Sequence, residues 1–538
     1  MVSSGVALAL TVATLAVFTG LGVWFSRGKV GSVEDLITAR NETGEGQLSA
    51  TLVASVMGVW ILLSAPEAGA LYGIAAVVGY GVGEAVPMLA YSRLGPRIRA
   101  LIPEGHSLTE YAYARYGGAM YAFVIVVSVL YMFVFLAAEL TGISLALNYV
   151  AGVPQWQTAL LVGGFVLLYT GYGGLRASIF TDTVQTVVIL PLLVLSVGAV
   201  VLTLGGTGAI HEGVVAANPT LLDPGFVPGL RFGVALVFAV LGAELVNQTW
   251  WQRIYAATDS GVVERGFRTA TVANGLVLVL ATLLGIVAVG GADVVMRLGS
   301  ADYNAGIAFF VLLDGTFADP LVLVVLLLAV ALVMSTADTL FNALSSLVTA
   351  DLPRLLSDPD DRTLRLGARA VTVVVAVGAV AVSLRAQSVL RLFFVADLLG
   401  AAVGFPLVYG LFTGRLTGGG ALASSLGGLA AGSAFFPFPF GLHGAADSLL
   451  GGALPAPDPT YLLPFAGAFL VSTVLALTAA RLSSDEFDLS RLSGEIRRLD
   501  EPVADGGRVG GGGRAGGSGR VGDGRGESEA ADAEEVRD

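Results

Sequence analysis

The sequence predicts an all-α membrane protein of about 13 transmembrane helices, with two of them discontinuous and each opening a block of five. Three observations carry this. Of the 538 residues 55% are hydrophobic and only 13% are charged, a balance foreign to soluble domains. A bilayer core is crossed by ~20 apolar residues in helix, and thirteen such stretches can be marked along the chain. Two of them, at corresponding places in the two blocks, are interrupted by Gly, Pro and embedded carboxylates.

The expected spans are 5–25, 48–71, 74–94, 118–149, 155–172, 179–204, 230–250, 268–292, 320–349, 364–384, 389–413, 418–437 and 460–481. The first lacks a basic segment before it and a small-residue cleavage site after it, so it is read as a retained helix. Residues 48–204 and 230–413 form the two blocks. Residues 5–25 are an extra N-terminal helix, and 418–481 add two C-terminal helices, completing a transmembrane domain over 1–481. One set of alternate loops holds sixteen basic residues, from Arg27 and Lys29 to Arg415. The opposite set holds only Arg231, Arg297, Arg385 and Arg391. Basic loops stay cytoplasmic, so the N-terminus is expected outside and the C-terminus inside, in the plasma membrane. The stretch 205–228, with Pro219, Pro224 and Pro228, reads as a long extracellular loop, and 294–319 as an acidic segment with a short surface helix, Ile307–Leu313. Residues 482–538 read as an acidic, Gly-rich cytoplasmic tail, with a short amphipathic piece at Leu482–Leu499 and disorder over 503–538.

Composition also excludes. There is no cysteine, hence no disulfide or Cys-based metal site. His106, His211 and His443 all fall in predicted loops, and no Ser/His/Asp set gathers near one membrane face, so an enzyme is not expected. A net charge of −12, with Lys29 the only lysine, argues against nucleic-acid binding.

In the first interrupted span, Ala54-Ser55-Val56-Met57-Gly58-Val59-Trp60 is followed by Ser64, Pro66, Glu67 and Gly69. In the second, Val237-Phe238-Ala239-Val240 is followed by Gly242, Glu244, Asn247 and Gln248. Paired broken helices point to an inverted-repeat secondary transporter with a site near the bilayer midplane. A third feature lies at 330–351. Ser335, Asp338, Thr339, Asn342, Ser345, Ser346 and Thr349 recur in steps of three and four, on one helix face. Lipid does not tolerate such a stripe. Its oxygens suit a hard cation. Helix–helix contact through small polar residues is the competing explanation, and Asp338 favours an ion or proton path.

Three segments then carry a resemblance. They are Tyr169-Thr-Gly-Tyr-Gly-Gly-Leu-Arg-Ala-Ser-Ile-Phe-Thr-Asp182-Thr-Val-Gln185, Met334-Ser-Thr-Ala-Asp338 with Asn342 and Ser345-Ser346, and Trp251-Gln252-Arg253 before Ala256-Ala257. In this order and spacing they resemble the sodium:solute symporter family, with its leucine-transporter-type five-plus-five inverted repeat, over about residues 5–481. The resemblance implies sodium-coupled symport, by alternating access, of a small organic solute such as an amino acid, amine or urea. Sodium is the coupling ion, no other cofactor is expected, and the carrier is a monomer or weak oligomer in the lipid bilayer. It implies a sodium cage of the Ala54, Met57 and Leu332 carbonyls with the Ser335 and Thr336 hydroxyls. Asp182 matches an acid that in some members helps form a second sodium site; here Ser335, Asp338 and Thr339 are its other candidates, for a cation or a shared proton. The solute position, beside the sodium and between the breaks, falls to Trp60, Ser64, Glu139, Glu244 and Gln248, and carboxylates there suit a donor-rich or cationic solute. The stretch Asn247–Gln252 is similar to the urea and polyamine branch. Proline-transporting members carry aspartate where Val56 stands and aromatic and proline residues where Glu244 and Gln248 stand, which disfavours proline. Arg253 is assigned to the cytoplasmic end, beside lipid phosphate or loops. Two alternatives stay open: proton coupling through Asp182 or Asp338, or a solute sensor signalling through its tail.

Overall fold

The computed structural model describes residues 2–28, 34, 37–297, 300, 302–355, 361–438, 441–496 and 498, and the tail from 501 lies outside them. Among the described residues the regular structure is helical, with one isolated bridge between Thr43 and Ala257. Helix α1 (Ser4–Ser26) precedes the first block. That block runs through α2 (Glu45–Val56), a 3-10 turn at Val59–Leu62, α3 (Ser64–Leu101), α4 (Leu108–Tyr116), α5 (Gly118–Ala151) and α6 (Gln155–Thr203). Both α3 and α6 are two helices joined at a non-helical glycine, Gly73 and Gly174, so each makes a turn without a loop. A connecting helix, α7 (Gly206–Ala217), leads to the second block: α8 (Val227–Leu245), α9 (Gln248–Ala256), α10 (Ser260–Gly291), α11 (Ala308–Thr316), α12 (Asp319–Leu355), α13 (Asp361–Ser383) and α14 (Val389–Tyr409). Helices α15 (Gly418–Ser433), α16 (Leu442–Leu449), α17 (Leu462–Leu482) and α18 (Leu492–Glu495) follow.

Nine helical segments among the described residues are long and apolar enough to cross a membrane. The other four expected passes correspond to the broken helix from Glu45 to Gly73, the first half of α6, α13 and α15. Both predicted breaks are present, at 57–63 and at 246–247. Three expectations need correction. The stretch 205–228 is not an open loop but folds into α7 and a 3-10 turn at Pro219–Leu222, capped by the Asn218 side chain. His211 and His443 accordingly lie on helices α7 and α16. The helix expected on the surface near Ile307–Leu313 is α11, whose Phe309 and Phe310 are fully buried, because this apolar run needs a dry face.

The interior is formed where α2 packs on α6, α10 and α12, and where α8 packs on α3 and α14. Helices α8 and α14 touch through their backbones: a side-chain carbon at Gly242 would lie 2.2 Å from Ala401, and one at Gly400 would lie 2.3 Å from Ala243. Small residues let membrane helices approach this closely. This contact brings the end of α8, with Glu244, against the middle of α14, with Asp397.

Candidate ion and solute site

The first break sets backbone oxygens free. A continuous helix would pair the Gly58 N–H with the Ala54 carbonyl and the Ile61 N–H with that of Met57. Here Gly58 donates to Val56 O at 3.0 Å and Ile61 to Gly58 O at 3.2 Å. The Val59 N–H donates instead to a carboxylate oxygen of Glu139, at 2.8 Å. Gly58 permits that reach, since a side-chain carbon there would lie 2.0 Å from the Glu139 carboxylate. Glu139, assigned to the solute from sequence, therefore holds the break open from α5. The released Ala54 carbonyl faces Ser335 Oγ of α12 at 3.1 Å. Thr336 Oγ1 is buried and without a hydrogen-bond partner, and Leu332 lies one turn away on the same helix. Four of the five expected cage residues, Ala54, Met57, Leu332 and Ser335, are fully buried, and Thr336 is 2% exposed.

Beside this cage sits Asp182, fully buried on α6. It accepts from Ser335 Oγ at 2.6 Å, Thr51 Oγ1 at 2.6 Å and Ser55 Oγ at 3.4 Å. Its remaining partner is Arg253, whose Nη2 donates to Asp182 at 3.2 Å, to Ser55 Oγ at 3.0 Å and to Thr339 Oγ1 at 2.9 Å. Both side chains of this ion pair are 0% exposed. The placement of Arg253 at a lipid-facing end is thus corrected: all nine residues of α9 are buried, so its arginine must pair inside the protein. Asp182 lies eight residues beyond Gly174, too deep to cap its helix. Asp338 does not bond to Asp182; it accepts from the Asn342 side chain at 2.9 Å.

The second break holds another carboxylate. Glu244 accepts from Tyr131 Oη at 3.1 Å, from Asn247 Nδ2 at 3.0 Å and from the Trp250 indole N–H. Two further acids, Glu84 on α3 and Asp397 on α14, lie within electrostatic reach of it. All three are buried, at 4–6% exposure. Among the described residues no Arg, Lys or His pairs with them, and Glu84 Oε2 has no hydrogen-bond partner. Aromatic rings cluster beside the acids: Trp60 lies 6.1 Å from Tyr80 and 5.5 Å from Phe393, and Phe135 lies 4.4 Å from Phe393 and 4.8 Å from Tyr131. Ser64 Oγ bonds Tyr80 Oη at 2.9 Å. The structure thus brings Trp60, Ser64 and Glu244 together. Glu84, Asp397 and Tyr131 stand beside Glu244 as well; the sequence signal for the two acids is an ionisable residue in mid-span.

Gln248 points elsewhere. Its side chain accepts from the Leu108 N–H at 2.9 Å and donates to His106 O at 2.9 Å and Ser346 Oγ at 3.2 Å. It belongs to a closure at the arginine-rich end. There His106 bonds Glu34 at 2.6 Å and Glu110 at 2.9 Å, and Thr109 bonds Asp351 at 2.6 Å. Burial alone would lower the His106 pKa, but the Glu110 and Glu34 carboxylates raise it to about 9. Burial likewise opposes ionisation of Glu34, yet His106 and Arg40 bring it down to about 2. At the opposite end Glu67 accepts from Tyr303 Oη at 2.5 Å and Ser388 Oγ at 2.9 Å.

A family model described as the sodium:solute symporter family matches residues 36–428. The chain belongs to that family. It is accordingly a multi-pass membrane symporter of a small organic solute, and its relatives are transporters. A spermidine transporter of Candida albicans is 27% identical over 505 residues, 90% of this chain and 91% of the relative. A urea-proton symporter of rice is 25% identical, over 64% of this chain and 52% of its own. The sodium/pantothenate symporter of Escherichia coli is 26% identical, over 50% of this chain and 57% of its own. A solved sodium-coupled sialic acid symporter in an outward-open state shares the fold with TM-score 0.68 at 17% identity, covering 89% of this chain and 98% of that one. The transporter Mhp1 does so with TM-score 0.55 at 14% identity, over 86% and 98%.

Proposed function

We propose that this symporter carries a cationic amine, a diamine or polyamine being the class that fits, coupled to a sodium ion held between α2 and α12. The observation that carries the reading is the trio Glu84, Glu244 and Asp397, buried with no basic partner among the described residues. A buried carboxylate needs a compensating charge, and several in one place call for a ligand with more than one. Ammonium groups meet both the acids and the faces of Trp60, Tyr80, Tyr131 and Phe393. Urea, glucose and pantothenate bring no such charge. The spermidine transporter, similar along nearly its whole length, supports the same class.

The proposed ion position uses the Ala54, Met57 and Leu332 carbonyls with Ser335 and Thr336. Asp182, at 2.6 Å from Ser335 Oγ, accepts the hydroxyl's hydrogen bond and leaves the oxygen lone pairs free for an ion shared with Ala54 O. Neutral oxygens suit a monovalent ion that must leave again. With the N-terminus outside and the C-terminus inside, each charge entering down the membrane potential supplies ~2.3 kcal/mol per 100 mV. A proton-coupled cycle is the second reading, favoured by the same group of acids, since like carboxylates in one site share protons readily.

The test is uptake into proteoliposomes of putrescine, spermidine, urea, pantothenate and glucose, with sodium and proton gradients imposed separately. Accumulation of the amines under an inward sodium gradient is expected. Accumulation of an uncharged solute that amines do not inhibit would refute the amine reading, and amine uptake driven only by a proton gradient would refute sodium coupling.

A further inference from the structure

The oxygens of Ser55, Asp182 and Thr339 come from three helices, α2, α6 and α12, and converge on one point. All are buried, and one of them is a carboxylate. Such a set would hold a small cation. The point is not open to one: Arg253 Nη2 stands within 2.9–3.2 Å of all three. We infer that Arg253 is a tethered cation occupying the second cation position, so that the carrier binds no mobile ion there and loads at most one sodium, in the cage of Ser335 and Thr336.

The geometry distinguishes a tenant of this position from a distant counter-ion. A single terminal nitrogen makes all three contacts, as a monovalent ion would. The other two guanidinium nitrogens, Nε and Nη1, are buried and make no hydrogen bond, so the group is held by this one atom. Asp182 also accepts from the proposed sodium ligand Ser335, so the tethered guanidinium stands beside the carboxylate that orients Ser335, with no second ion between them. Removing the positive charge while keeping the rest should therefore convert a filled position into a vacant one. That position would be a carboxylate and two hydroxyls with nothing between them.

The experiment counts radioactive sodium bound per molecule of purified full-length chain in lipid nanodiscs, without solute, at a pH of about 8.5 to suppress proton competition. The inference goes beyond the proposed solute, and a solute-free readout keeps its failure separate from failure of the amine reading. Arg253→Gln is expected to bind one more sodium than the unaltered chain, whereas Arg253→Lys, which keeps a tethered charge, is expected to match it. In transport, the Hill coefficient for sodium should rise from about 1 to about 2 in Arg253→Gln. An equal count in Arg253→Gln and the unaltered chain overturns the inference. Should Arg253→Gln not fold, the unaltered chain decides alone: two sodium ions bound with Arg253 in place overturn it, and one or none upholds it.

Discussion

Two buried acidic regions of this molecule are built oppositely. Asp182 has both carboxylate oxygens engaged, by three hydroxyls and a guanidinium, all from the chain itself. Glu84, Glu244 and Asp397 have phenol, amide and indole donors around one member and, among the described residues, no base for any. The first region is complete as folded. On the proposed reading the second is completed by the bound amine. A carrier so built has both kinds: a charge that stays to keep the proposed ion cage in shape, and charges that wait for cargo.

The largest effect should come from breaking the complete region. Arg253→Gln in sodium-free medium leaves Asp182 a lone buried charge, and removing one partner of a buried pair costs about 3–5 kcal/mol. Thermal unfolding should register this, with sodium restoring much of the loss. The double variant Asp182→Asn with Arg253→Gln should lose far less. Equal losses in the single and double variants would erase the contrast between the regions.

Glu244→Gln tests the other side. Hydrogen bonds to charged groups contribute about 1.5–3 kcal/mol, so amine affinity should fall roughly ten- to hundred-fold. Sodium binding and unfolding temperature should stay near those of the unaltered chain. A variant destabilised as strongly as Arg253→Gln would show that Glu244 is structural after all.

Smaller again is the cage. Thr336→Ala removes an unpartnered hydroxyl and should raise half-saturating sodium several-fold while leaving membrane insertion intact. Ser335→Ala should do more, because it also withdraws a donor from Asp182. Unchanged sodium activation in both would remove the cage.

The smallest effect concerns pH at the arginine-rich end. His106, raised to about 9 from an ordinary 6.5, contributes stability that is complete below the lower value and lost as pH climbs through the higher. Glu34, lowered to about 2 from 4.5, contributes above 4.5 and loses its part as pH falls through about 2. Between pH 6 and 10 the unfolding temperature should therefore drop by a few degrees, and His106→Gln should flatten that drop. An identical slope in both proteins would place the pH response elsewhere.

The chain's own pattern made the larger frame legible. The spans and the two breaks could be read from apolar runs and Gly and Pro positions, whereas the meeting of Ala54 with Ser335 and the nearness of Asp182 to that serine followed only from the family resemblance carried by 169–185 and 334–346. Arg253 could not. An arginine at the end of an apolar stretch normally marks the cytoplasmic boundary, and only the packing of α9 against α2, α3 and α12 shows it to be interior. Glu139 was legible as buried but not as a backbone cap, because that role depends on where Gly58 falls in space. Gln248 shows the same limit. It follows Glu244 by four residues, a spacing that in a continuous helix would keep both on one face. The break ends that periodicity.

That break has a mechanical consequence. Val246 and Asn247 leave helical geometry, at φ −105°, ψ 6° and φ −78°, ψ 112°, and join two short rods. On one rod hangs Glu244, the proposed seat of the amine. On the other hangs the amide that clips residues 106–108 to Ser346. On the proposed reading, a pull on the first reaches the second as torsion about a two-residue hinge, so seating the amine and releasing the arginine-rich end become a single movement.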